Sequence, residues 1–245
     1  MMNLMPQSFR SEMGMYDIEI EGANVKVSIV DDPDLVDTKM DELRSSLLSQ
    51  KNKIKKIFIT NFRKAFLKNK KKTSKRKVVG LDIKFVKTDG NLNIGKLLLL
   101  CVGSHCLMIQ LPDSEHISRT LGRFLSDETI CFLGTGMSNI VSELGSFSFC
   151  TQRKKRRNFD VSVYHRVSVN TGVEVGFLAA KILKKPNVEN YGLAELAGEV
   201  GMDIKEPIGE CPNWNAKVFS HEEVKYAVHN AYTSYVIGNK LLDML

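Results

Sequence analysis

Three short apolar runs, residues 78–86, 96–102 and 106–111, follow one another with only Asp89-Gly90 and Gly103-Ser104 as turn signals between them. Runs of this length closed by turn dipeptides read as strands joined by tight connections, so this stretch is expected to be a three-stranded meander. A helix is expected after Asp113-Ser114, ending near Leu125. Residues 129–133 are then continuously apolar, the pattern of a strand buried on both faces of a parallel sheet. Gly134-Thr135-Gly136 turns into a helix holding Asn139, Ile140 and Glu143. Residues 161–169 are read as a fifth strand, after a basic insertion at 151–158. Helices are expected over 173–184, 192–200 and 222–242, the last announced by Ser220 with Glu223 three residues on, a capping box.

Upstream, residues 16–30 alternate apolar and polar side chains around Glu21-Gly22-Ala23-Asn24, a β-hairpin pattern. Asp32 and Asp34 bracket Pro33 ahead of Leu35, Val36, Met40, Leu43, Leu47 and Leu48, which is an amphipathic helix with acids at its positive end. Ile54, Ile57, Phe58, Phe62, Ala65 and Phe66 then recur every three to four residues among Lys and Arg, a second and basic helix. Residues 68–77 are of low complexity and read as a loop. The division expected is a flexible terminus at 1–15, a hairpin, helices and basic loop at 16–76, and an α/β domain at 77–245.

With 245 residues and 43% hydrophobic content, the chain has enough apolar material for one well-buried α/β domain plus decoration. No apolar run approaches the ~20 residues that cross a bilayer, and the Met-rich start lacks a signal-peptide pattern. A soluble protein of the nucleus or cytoplasm, without membrane contact, is expected. The five cysteines are odd in number and form no CxxC pair, so reduced, mostly buried thiols are expected. The histidines show no metal-ligand spacing; His116 is read as lying on a surface helix. Gly134 and Gly136 lack the third glycine or the Lys-Ser/Thr of a nucleotide-binding turn.

Charge is unevenly placed. Residues 51–77 hold thirteen Lys or Arg and no acid, so a net charge of +7 leaves −6 for everything else. Arg153, Lys154, Lys155, Arg156 and Arg157 add a second patch of +5, which leaves −11 for the remainder. Positive charge concentrated in this way fits a polyanion partner. The candidate nucleic-acid contacts are therefore Lys70, Lys71, Lys72, Lys75, Arg76 and Lys77 with the run from Arg153 to Arg157.

Three segments, VVGLDIKF from Val78, FLGTGMSNIVSEL from Phe132 and YAVHNAYTSY from Tyr226, resemble in order and spacing the Werner-type 3′-5′ exonucleases of the DEDDy class. Between them GFLAAKILKKPNVENYGLAELAGEVGMDIKEPIGECPNWNAKVFSHEEVK, beginning at Gly176, is similar to that family's LAA helix, GLAxLA helix and tryptophan segment. Residues 16–48 resemble the opening of its small plant members. The resemblance implies an RNase H-like fold: a mixed five-stranded sheet with one antiparallel strand, flanked by helices.

It also implies a site. The family's reaction is two-metal phosphodiester hydrolysis, with Mg²⁺ or Mn²⁺ held by four carboxylates because hard cations need oxygen ligands and neutralising charge. Asp82 matches the first acid, whereas Lys84 stands at the Glu position, Ile140 at the second Asp and Asn230 at the last. Tyr226 matches the tyrosine that orients water. An effective dielectric near 20 makes two unit charges ~4 Å apart worth ~4 kcal/mol, so exchanging Glu for Lys strongly disfavours metal. Lys84 is expected to pair with Asp82, leaving Asp82 as the sole weak metal candidate; Mg²⁺ or Mn²⁺ is expected only if hydrolysis persists. A degenerate, nucleic-acid-binding domain is the main reading. The alternatives are an active exonuclease on single-stranded RNA or DNA, with Asp82, Glu143 and Asn230 holding one ion and Glu174 and Asp89 near only in sequence pattern, and a scaffold in a homo-oligomer or a hetero-oligomer with active relatives.

Overall fold

Alternation along β1 (Met15–Ile20) buries Tyr16, Ile18 and Ile20, and β2 (Ala23–Val30) answers with Val25 and Val27, while its last residue, Val30, is buried on the other face. The two-residue link between them has positive φ at both Glu21 and Gly22, the geometry that matches a hairpin's right-handed twist. The computed structural model describes residues 14–49, 77–87, 93–154, 160–207, 210–216 and 218–244. The expected basic helix at 54–66 and the loop through residue 76 lie outside those residues, as does most of the expected flexible terminus.

Helix α1 (Pro33–Ser49) leads to the meander β3 (Lys77–Lys87), β4 (Asn93–Val102) and β5 (His105–Gln110). Then come α2 (Arg119–Leu125), β6 (Ile130–Gly134), α3 (Met137–Leu144), β7 (Ser148–Lys154), β8 (Asp160–Arg166) and β9 (Gly172–Glu174). The chain closes with α4 (Val175–Leu183), a 3₁₀ turn (Pro186–Asn190), α5 (Leu193–Glu199) and α6 (His221–Asp243). Ser220 and Glu223 cap α6 reciprocally, as expected.

The central sheet runs β5-β4-β3-β6-β9, with β4 antiparallel to both neighbours and β3, β6 and β9 mutually parallel. This is the mixed five-stranded RNase H-like arrangement. The hairpin extends it to seven strands, because β2 pairs in parallel with β5. A buried hydrogen bond from the Tyr16 hydroxyl to the Phe219 carbonyl, 2.8 Å, ties that hairpin to the approach of α6.

Strand alternation divides the core. Val79, Leu81 and Ile83 of β3 face an apolar layer shared with α1, α2 and α3. The opposite face is covered by α6, whose Val224, Ala227, Val228 and Ala231 pack on Leu97 and Leu99, while Ile237 and Leu241 continue over Val78 and Leu133. Close approach depends on Gly80: a Cβ there would lie 1.9 Å from the Ala231 carbonyl oxygen. The long helix therefore crosses β3 directly beside Asp82.

Several expectations need correction. The fifth strand is Gly172–Glu174, not 161–169; residues 160–166 pair with Ser148–Lys154 in a separate two-stranded ribbon. Tyr164 and His165 are exposed there, which a strand buried on both faces does not tolerate, and the true strand is too short to leave a pattern. Thr151–Lys154, assigned to an insertion, are ribbon strand, and Lys77, assigned to the loop, opens β3 opposite Ile130. His116 is not helical: it bridges Ser148 ahead of α2. Cys101 and Cys106 are not thiols but a disulfide, because the tight β4–β5 turn sets them opposite each other with Cα atoms 4.2 Å apart.

Candidate functional site

Asp82 and Lys84 project from β3 toward α6, and both are buried, at 6% and 8% exposure. Lys84 Nζ lies 2.7 Å from Asp82 Oδ2. The other carboxylate oxygen, Oδ1, accepts the Ile83 amide at 2.9 Å. Above the ammonium stand two aromatic rings, Trp214 and Tyr226, each with its centroid 5.9 Å from Nζ. Ring faces attract cations, most strongly where water is excluded, so Lys84 is held by one carboxylate and two π systems. Burial pushes the Asp82 carboxyl above its usual range; Lys84 and the Ile83 amide oppose that rise without cancelling it.

Tyr226 and Asn230 lie one turn apart on α6, so both are carried on the same stripe of the helix. Asn230 is half-buried, and its side chain makes no hydrogen bond among the described residues. Ile140 is buried at 2% exposure within the apolar layer beneath α3. Beside Asn230, His229 is buried with Nε2 unpartnered. Burial lowers its pKa first; Lys84 and Lys225 also lower it, against Glu206 and Glu21.

The carboxylates considered as replacements are occupied elsewhere. Glu143 Oε1 accepts the Gly95 amide at 2.9 Å, where the β3–β4 register shifts between Lys84 and Phe85. Glu174 accepts the Gly136 and Met137 amides at 3.1 and 2.9 Å, satisfying donors at the start of α3. Asp89 lies outside the described residues. One carboxylate already paired with an ammonium, one apolar side chain and one neutral amide do not fit two divalent cations. Among the described residues, no group of three or more His, Cys, Asp or Glu could hold a metal ion.

Of the residues named from sequence, Asp82, Lys84 and Tyr226 meet in the structure, Asn230 follows Tyr226 one turn on along α6, and Ile140 stays in the core. Sequence reasoning missed Trp214 as a ring over Lys84; the sole tryptophan of the chain, beside a family motif, was the available signal. It also missed His229, for which no local pattern exists. Of the basic candidates, Arg153 and Lys154 end β7, whereas Lys70, Lys71, Lys72, Lys75, Arg76, Lys155, Arg156 and Arg157 lie outside the described residues.

No family profile matches the chain. R431 of Acanthamoeba polyphaga mimivirus, named as an inferred 3′-5′ exonuclease, is 26% identical over 176 residues. That match covers 68% of this chain and 40% of R431, so the chain spans less than half of this relative. Escherichia coli RNase D, an exoribonuclease involved in structured RNA processing, superposes with a TM-score of 0.54 at 14% identity, over 89% of this chain and 44% of that one. Brucella melitensis NrnC gives 0.51 at 16% identity, over 69% and 73%. The fold is that of RNase D and NrnC. At such identities the likeness is one of architecture, and the site's chemistry rests on the residues themselves. Among the described residues, no helix is long and apolar enough to cross a membrane.

Proposed function

We propose that this chain is a Werner-type exonuclease domain in which three of the four catalytic acids have been replaced, and which binds single-stranded RNA or DNA with little or no hydrolysis. The observation that carries the reading is the 2.7 Å contact of Lys84 with Asp82. A fixed ammonium occupies the charge-balancing role of cations that a nuclease would recruit, and it does so at the one acid that the family pattern retains. Nucleic-acid binding is supported by the concentration of Lys and Arg in residues 51–77 and 153–157.

Hydrolysis through a remodelled site is the competing reading, supported by the names of R431 and RNase D. Glu143 and Glu174 weigh against it, since each already accepts backbone amides. An end-labelled single-stranded oligonucleotide incubated with Mn²⁺ tests both. Salt-dependent retention without shortening is expected; a ladder that disappears in Asp82→Ala overturns the proposal in favour of a working exonuclease.

A further inference from the structure

The β7–β8 ribbon has no role in the reading above. It is not hydrogen-bonded into the seven-stranded sheet, and a two-stranded ribbon is marginal without support. Its support lies at one end. The Ser148 amide donates to the Glu115 carbonyl at 2.7 Å, the Ile117 amide donates to Ser148 at 3.0 Å, and Phe149 packs against Gly122 of α2. From that anchor the strands run outward for about 20 Å to the pair Lys154 and Asp160.

Register separates the ribbon's two faces. Phe149, Thr151, Val163 and His165 share the face toward α2, where His165 stacks on Phe149 and bonds Thr151 Oγ1 at 2.9 Å. On the other face Cys150 pairs with Tyr164, and Ser148 with Arg166. Tyr164 is 62% exposed, one of the most exposed large apolar side chains among the described residues. Its ring lies 5.4 Å from that of His116, tilted by 32°, and His116 is held by a 2.8 Å hydrogen bond with Ser148. Arg166, two residues on, reaches the Gly145 carbonyl at 3.5 Å and meets no carboxylate among the described residues.

A cross-strand aromatic contact can serve the ribbon alone. That account leaves unexplained why the ring stays open to water on a segment so strongly cationic: residues 148–166 contain six Lys or Arg and one acid. Protein surfaces that bind single strands combine stacking platforms with cations along the backbone path. Resting on the reading proposed above, we propose that the outer face of the ribbon is a single-stranded nucleic-acid surface, on which Tyr164 and His116 stack a base and Arg166 meets a phosphate. The face lies apart from the Asp82–Lys84 centre and needs no metal. Stacking on an open ring is tolerant of base identity, so the surface recognises single strands rather than a sequence.

The test is fluorescence anisotropy of the full chain with labelled oligouridylate and oligothymidylate of about twelve nucleotides, between roughly 50 and 200 mM salt. Tyr164→Ala is expected to weaken binding about tenfold while leaving the salt slope and the melting temperature unchanged. Tyr164→Phe should restore it. Arg166→Gln should weaken binding and lower the slope by about 0.7, one phosphate contact. Arg123→Gln, on α2 beside the inner face, should change affinity less than Arg166→Gln. If the wild type binds and Tyr164→Ala binds equally well, the ribbon is not the surface. If the wild type fails to bind even at the lower salt, the nucleic-acid reading itself falls.

Discussion

The ammonium of Lys84 is the charged group that neutralises Asp82: Nζ sits 2.7 Å from Oδ2, and no other ion pair reaches that carboxylate among the described residues. Two neighbouring positions on one face of β3 thus form a closed pair under two aromatic rings. Whether such a pair stabilises depends on the balance between desolvation and attraction, and the balance is lost when one partner is removed.

Asp82→Asn and Lys84→Met should therefore each cost about 3–5 kcal/mol, and the double variant should cost much less than their sum. Urea unfolding of the four proteins measures the coupling. Additive costs would mean that the pair is solvated and contributes little. In Lys84→Met, the opposing charge is gone and burial acts on Asp82 against the Ile83 amide alone. An acid whose folded pKa lies above its unfolded value contributes stability at low pH and loses it as pH rises. The deficit of Lys84→Met relative to wild type should thus grow as pH climbs above about 4.

Gly80→Ala tests what positions Tyr226 and Asn230. Its Cβ would fall 1.9 Å from the Ala231 carbonyl, a rigid backbone atom that cannot swing aside as a side chain can. Helix α6 must move, and a cost of about 3 kcal/mol is expected. The shift carries Tyr226 off Lys84, so the variant should also expose the site, read as a red shift of the fluorescence of Trp214, whose ring lies 6.1 Å from that of Tyr226. An alanine variant as stable as wild type would show that the helix is not seated this closely.

Period-two alternation and short turn signals make the meander and the hairpin legible in the sequence, whereas the pairing of Asp82 with Lys84 is legible through the resemblance, which sets a lysine where an acid is expected. Other features depend on contacts between distant segments. Glu143 meets a β4 amide, and Glu174 meets the start of α3, although nothing local in sequence marks either partner. The disulfide required knowing that Cys101 and Cys106 are register partners, which the turn fixes only to within a residue. Length and apolar content do not reveal which neighbour a strand pairs with, so residues 161–169 read as a sheet strand although 160–166 pair within the ribbon. Trp214 reaches Lys84 from a segment without regular structure, and such segments carry no periodicity to read.

His229 gives the chain an acid-sensitive element of defined sign. Burial lowers its pKa below the ordinary histidine value near 6.5, so between the two values the unfolded state binds the extra proton. Its contribution is present above pH ~6.5 and lost as pH falls below it. His229→Leu should narrow the loss of melting temperature between about pH 7 and pH 5. Parallel curves for the two proteins would assign the acid response to other groups.

Adding carboxylates tests the proposed loss of the metal site directly. Millimolar Mn²⁺ should leave the wild-type melting temperature unchanged, because binding to the folded state alone raises it and Lys84 opposes a cation at Asp82. The double variant Lys84→Glu with Asn230→Asp removes that ammonium and supplies two carboxylates, one beside Asp82 on β3 and one a turn from Tyr226 on α6. Without metal, the glutamate at 84 sets a second acid beside buried Asp82, so the variant should be less stable than wild type. With Mn²⁺ it should recover several degrees, whereas Lys84→Glu alone should recover less, since Asn230 offers only a neutral oxygen. Ile140 keeps the fourth position apolar, so binding is expected without a full two-metal arrangement. A wild-type protein that gains stability with Mn²⁺ as the double variant does would mean that Lys84 yields to metal, and that the site is a working one.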